Sequence, residues 1–152
     1  MQQIDLTLTI VTDTQRVLLG MKKRGFGAGK WNGFGGKVEA GEDFASAAHR
    51  ELQEEVGVVA RDLQKCGTLE FVYEHTRKTH NVTVFCVSDI QGTPIETDEM
   101  RPQWFPYKDI PYDAMWADDP FWLPLALAGV RFKGRFVFKD DQTILTHEVV
   151  EL

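Results

Sequence analysis

One stretch constrains the chain more than any other: Gly36 to Val58, in which glycines bracket a segment where Phe44, Ala47, Ala48, Leu52 and Val56 recur at helical spacing. That pattern predicts an amphipathic helix from near Asp43 to Val56, stopped by Gly57 acting as a C′ residue. On such a helix Glu51, Glu54 and Glu55 fall at i, i+3 and i+4, so three carboxylates share one face. They also sit in the last turns, where the helix dipole is already negative. Repulsion and dipole together disfavour the arrangement unless a cation is present. All-oxygen, hard ligands point to Mg²⁺, with Mn²⁺ as an alternative, and such an ion leaves coordination positions for water and substrate phosphate.

A bare Glu-x-x-Glu-Glu would ordinarily be a solvated acidic face; here its frame decides. Gly36, Glu42, Arg50, Glu51, Leu52, Glu54, Glu55, Gly57 and Val58 match every defining position of the Nudix box, and the chain therefore resembles the Nudix hydrolase family. The resemblance implies an α/β fold, an α/β/α sandwich with a mixed central sheet. It also implies a metal-dependent pyrophosphohydrolase in which Glu51, Glu54 and Glu55 bind metal, one of them serving as base, and Arg50 orients a glutamate. Gly35, through its backbone, and Glu99, in the acidic loop Glu96–Glu99, are the further metal-ligand candidates.

With 152 residues the chain is expected to form one domain over residues 1–152, working as a monomer. The net charge of −6 argues against sustained binding of long nucleic acid, which needs a basic stripe. No signal-peptide pattern and no apolar run of membrane-spanning length occur. A cytoplasmic location is expected, with the nucleus and mitochondria as alternatives, and no membrane partner. Cys66 and Cys86 lack CxxC spacing and are expected as separate, buried, reduced thiols.

Taken in order, Leu6, Leu8 and Ile10 alternate with polar residues as in a half-buried strand, which turns Thr7 away from that apolar row. Val17-Leu18-Leu19 suits a strand covered on both faces. Gly25 to Lys30 is too rich in glycine for regular structure and reads as a mobile flap. Leu63–His75 and Thr79–Ser88 read as strands around a basic turn, and prolines confine Arg101–Tyr112 to a short strand near Trp104. Asp119-Pro120 is expected to cap and open a helix ending at Gly129, followed by a closing hairpin.

Within the family the chain is similar to the branch that hydrolyses oxidised purine nucleoside triphosphates, the MutT-like 8-oxo-dGTPases. The matching blocks are Arg16–Lys30, Trp31–Lys37, Gln91–Pro94, Asp98–Pro102 and Met115–Asp119. This resemblance implies hydrolysis of 8-oxo-dGTP, and also of 2-hydroxy-dATP and methylated purine nucleotides, to the monophosphate and pyrophosphate. It places Thr7, Asn32, Phe71, Trp116, Ala117, Asp118 and Asp119 around the base, and Lys22, Phe34, Gly35, Gly36 and Lys37 along the nucleotide. The chemistry is sensible: Trp116 can stack on a purine, and Asn32 with the two aspartates can match its edge. The hairpin Tyr73–His80 is more basic than the resemblance would suggest, and Tyr73 and His80 are expected at the border of the base pocket. The alternatives are a Nudix pyrophosphatase for dinucleoside polyphosphates or capped RNA, and a non-catalytic nucleotide sensor. The intact glutamates argue against the sensor.

Overall fold

The computed structural model describes residues 1–152. In chain order the elements are β1 (Gln2–Asp13), β2 (Arg16–Lys22), β3 (Trp31–Asn32), β4 (Phe34–Lys37), α1 (Phe44–Val56), β5 (Val59–Ala60), β6 (Gln64–Tyr73), β7 (Lys78–Val87), β8 (Ile90–Gln91), β9 (Met100–Pro106), α2 (Asp119–Leu127), β10 (Phe132–Phe138) and β11 (Ile144–Glu151). The large sheet runs β11-β10-β6-β7-β1-β2-β3, with β4 paired to β1 and β9 to β2. It is mixed: β1 pairs parallel with β7, and β10 parallel with β6. A separate small ribbon joins β5 to β8. Neither helix is long and apolar enough to cross a membrane.

Strand alternation sorts the core into two layers. Ile10, Val17 and Leu19 face α2 and pack with its Trp122, Leu123 and Ala126, while Val11 and Leu18 point the other way, toward Leu52 and Val56 of α1. Adjacent residues of one strand thus feed opposite cores, which is why β2 reads as an unbroken apolar run. The result is the expected α/β/α sandwich. Truncating fully buried Leu52 to Ala would cost about 2–5 kcal/mol.

Helix α1 begins where expected: the Asp43 carboxylate accepts from the Ser46 N–H at 2.7 Å, and Gly57 (φ 72°) ends it. Two expectations fail. Cys66 and Cys86 are not separate thiols but are joined across β6 and β7, with Cα atoms 6.0 Å apart. An irregularity in β6 between Lys65 and Gly67 shifts the register beside Cys86, a long-range fact that cysteine spacing does not encode. Helix α2 starts one residue early: Asp118, not Asp119, holds the N-cap position. Its backbone is already helical (φ −78°, ψ −22°), and its side chain caps nothing.

Candidate active site

Register brings the glycine-rich turn to the glutamate helix. Thr7 lies opposite Gly36 and Leu8 opposite Gly35, so β4 runs beneath α1 at the mouth of a cleft. A Cβ on Gly36 would stand 2.7 Å from the Glu51 carboxyl and push it aside, and one on Gly35 would meet the Thr7 backbone carbonyl, so the close approach of β4 to β1 requires glycine at position 35.

Arg50 is the hub of the helix face. Its guanidinium donates from Nε and Nη2 to the two oxygens of Glu42 at 2.8 and 3.0 Å. Nη1 donates to Glu51 Oε1 at 2.8 Å and to Glu54 Oε2 at 3.3 Å, and Nη2 also reaches the Lys37 carbonyl at 3.1 Å. The bidentate contact holds Glu42 below the usual carboxylate range and raises the already high pKa of Arg50. Burial pushes the Glu51 carboxyl up, with Arg50 opposing.

Glu55 is different. It is buried, its Oε1 accepts from the Gly35 N–H at 2.7 Å, and no arginine reaches it. Burial, then the neighbouring Glu51, push its pKa up to about 8. Glu99 is set close by: the Thr97 hydroxyl donates to the Glu55 carbonyl at 2.9 Å, and the Glu99 charge adds to the upward push on both Glu51 and Glu55. The expected convergence is therefore incomplete. No group of three or more acidic, histidine or cysteine side chains is gathered around one metal position, because Arg50 draws Glu51 and Glu54 to itself while Glu55 turns to Gly35. The donor set still fits a divalent ion: hard carboxylate oxygens on Glu51, Glu54, Glu55 and Glu99, the Gly35 backbone, and the open cradle at Gly36.

From Glu55 and Gly35–Gly36 the cleft extends to the start of α2. Here Asp118 and Asp119 are almost wholly buried, 4% and 2% exposed. Asp118 Oδ2 accepts from the Trp122 indole N–H at 2.7 Å, and Asp119 Oδ2 accepts from the Trp116 backbone N–H at 3.1 Å. Both donors are neutral. Burial raises the Asp118 pKa to about 6, and raises Asp119 well above the ordinary range, with the adjacent Asp118 adding to the push. Asn32 turns its carbonyl oxygen to the Gly33 N–H at 2.8 Å, leaving its amide as a donor. The Thr7 hydroxyl is buried without a partner.

The cleft brings together Thr7, Lys22, Asn32, Gly35, Gly36, Glu55, Phe71, Trp116, Asp118 and Asp119. Phe34 is a correction: the pleat of β4 directs it into the α1 core, fully buried beside Leu52 and Val56, and it does not line the cleft. Ala117 packs at the margin of the α2 core, and Lys37 lies exposed at the end of β4. Sequence reasoning missed Phe26 and Gly27. The glycine-rich loop folds into turns that set the Phe26 ring 4.9 Å from Trp116, and a Cβ on Gly27 would stand 3.2 Å from the same indole. Trp122 was also missed; its position four residues after Asp118 on one helix was the available signal.

Comparison with known proteins agrees with this geometry. The model of the NUDIX domain matches residues 4–125. The chain is 50% identical over 147 residues to an oxidized purine nucleoside triphosphate hydrolase of Danio rerio, covering 97% of this chain and 94% of that one. It is 48% identical over 146 residues to the protein of the same name from Mus musculus, covering 96% and 94%. Among solved structures, a MutT protein from Bacillus halodurans superposes with a TM-score of 0.85 at 25% identity, covering 96% of this chain and 97% of that one. The glutamate helix, its glycine cradle and these similarities lead to one conclusion: the chain belongs to the Nudix hydrolase family.

Proposed function

We propose that the protein hydrolyses oxidised purine nucleoside triphosphates, 8-oxo-dGTP and 2-hydroxy-dATP in particular, to the nucleoside monophosphate and pyrophosphate, with Mg²⁺ as its metal. One observation carries the reading. The buried Asp118–Asp119 pair, beside Trp116, opens into the same cleft as Glu55 and the Gly35–Gly36 cradle. A planar base stacked on Trp116 would present its edge to the aspartates while its phosphates point toward α1. The relatives from Danio rerio and Mus musculus, named for this activity, support it.

Hydrolases of this family generally depend on a divalent metal. When bound, such an ion supplies charge neutralisation on phosphate oxygens and a more acidic water. The protein's own groups do the rest. Arg50 fixes Glu51 and Glu54 in one cluster, the Gly35 N–H fixes one oxygen of Glu55, and Lys22 offers a cation to the phosphates from the wall of the cleft. Water adds to one phosphorus of the α–β anhydride and gives up a proton to a carboxylate of the α1 group, the α–β phosphoanhydride bond breaks, and the products are the nucleoside monophosphate and pyrophosphate. At the other end the aspartate pair presents at least one O–H donor among its acceptors, since both carboxyls resist ionisation. Shifting that proton exchanges the pattern, so guanine-type and adenine-type edges can both be met.

The test is a hydrolysis panel of 8-oxo-dGTP, 2-hydroxy-dATP, N6-methyl-dATP and the four ordinary deoxynucleoside triphosphates, with Mg²⁺ and with Mn²⁺. Preference for the oxidised purines with release of pyrophosphate is expected. Equal rates on ordinary nucleotides, or release of orthophosphate, would contradict the assignment.

A further inference from the structure

Across the cleft from the aspartates, β6 and β7 form a wall whose polar atoms have no assigned task. Phe71 lies opposite His80 in the register, and Tyr73 follows Phe71 by two residues on the same face of β6. The Tyr73 and His80 rings are 4.9 Å apart, edge to face. Tyr73 is fixed from behind by stacking on Phe138, with centroids 5.1 Å apart and planes at 17°. Phe26 covers both rings from the glycine-rich loop, at 6.0 and 5.9 Å, while it touches Trp116. Phe26, Phe71, Tyr73, His80 and Trp116 all border the cleft.

Tyr73 is only 5% exposed. Burial, and after it the charge of Asp118, raise its pKa, so it remains a neutral phenol able to donate and accept. Burial, with Lys78 and Lys37 nearby, lowers the pKa of His80, leaving a neutral imidazole with one donor and one acceptor. Neither side chain is held by a hydrogen bond within the protein. The phenol and the imidazole open onto the cleft, where a bound base or water can supply the hydrogen bonds that the protein does not. A wall required only to be apolar would carry neither group.

We propose that Tyr73 and His80 are specificity-determining residues, whose hydroxyl and imidazole hydrogen-bond a polar group of the bound base and so favour purines bearing an added oxygen over purines bearing an added methyl. The inference rests on the proposed function and deepens it: the aspartates set tolerance between guanine-type and adenine-type edges, and this wall sets the preference for oxidised over alkylated bases.

The experiment compares kcat/KM for 8-oxo-dGTP, 2-hydroxy-dATP and N6-methyl-dATP in the wild type and in Tyr73→Phe, His80→Leu and His80→Gln. Tyr73→Phe keeps the ring that stacks on Phe138 and removes only the hydroxyl. The ratio of oxidised to methylated substrate should fall by about tenfold in Tyr73→Phe or His80→Leu, the size expected for one lost hydrogen bond. His80→Gln, which retains a donor and an acceptor, should recover most of the ratio. Because His80 is less buried than Tyr73, the His80 variants carry the test even if Tyr73→Phe does not fold. A wild type that cleaves oxidised purines, with ratios unchanged in His80→Leu and in every folded Tyr73→Phe sample, would overturn this inference and leave the functional reading standing. A wild type inactive on all three substrates would overturn both.

Discussion

The two ends of the cleft hold the same functional group with different partners around it. On α1, Glu42, Glu51 and Glu54 gather around the Arg50 guanidinium, and only Glu55 stands apart from it. At the start of α2, Asp118 and Asp119 have only neutral donors, an indole N–H and a backbone N–H. Pairing with Arg50 holds Glu42 below the usual carboxylate range, whereas burial raises Glu55 on α1 just as it raises Asp118 and Asp119. The two ends therefore differ in the partners they offer: a guanidinium and a backbone cradle at one, neutral N–H donors at the other. The first arrangement suits cations and phosphate chemistry. The second suits reading a base edge, where a donor is needed as much as an acceptor.

The largest expected effect comes from breaking the α1 end. Glu55→Gln keeps the shape and an acceptor for the Gly35 N–H but loses the charge, and should lower kcat by roughly 100-fold or more, with the fold intact by circular dichroism. Near-normal turnover would remove Glu55 from the catalytic group. At the other end, Trp116→Ala should raise KM by the loss of roughly 1–3 kcal/mol of stacking. An unchanged KM would return Trp116 to a packing role.

The aspartate pair also predicts a pH dependence of stability. Both carboxyls bind protons more tightly folded than unfolded, Asp118 with a pKa of about 6 against roughly 3.9 in the unfolded chain. The contribution of Asp118 is therefore complete below about pH 4 and is lost as pH rises through about 6, while that of Asp119, raised further, persists to higher pH. Asp118→Asn, which can still accept from Trp122, should flatten that decline by a few degrees of melting temperature. An identical slope in the variant would show that the pair does not hold protons. The smallest effect is expected at Glu99, exposed at the edge of the α1 group. Glu99→Gln should raise the metal concentration for half-maximal rate by a few-fold, read from a metal titration of the rate, while leaving KM for the nucleotide near its original value.

What could be read from the sequence was local and periodic. The frame around Glu51, Glu54 and Glu55 gave α1 with its cap, and the alternation of Leu6, Leu8 and Ile10 against Thr7 gave the strand that carries the cleft. The failures are matters of register and of loop closure. Phe34 shares a glycine-rich block with cleft residues, yet the pleat turns it into the core. Cys66 meets Cys86 through the pairing of β6 with β7, a long-range register that sequence spacing does not carry. Asp119 looked like a helix cap beside Pro120, but the helical turn begins at Asp118, freeing both carboxyls to face the cleft. Phe26 sits in a loop whose path depends on Gly27 lying against Trp116, a contact with no periodic signature.

That one cleft joins Glu55 of the glutamate helix to a proton-holding aspartate pair is checked by following the carboxyl carbon resonances of Asp118 and Asp119 by NMR from acid to neutral pH. Because the two groups titrate as a unit, the relevant readout is the number of protons the pair retains. At pH 7 the pair is expected still to hold a proton, and Asp118→Asn is expected to leave Asp119 titrating above the ordinary aspartate range, since burial remains the main cause of its shift. Complete ionisation of both residues by about pH 5, close to the behaviour of exposed aspartates, would contradict it.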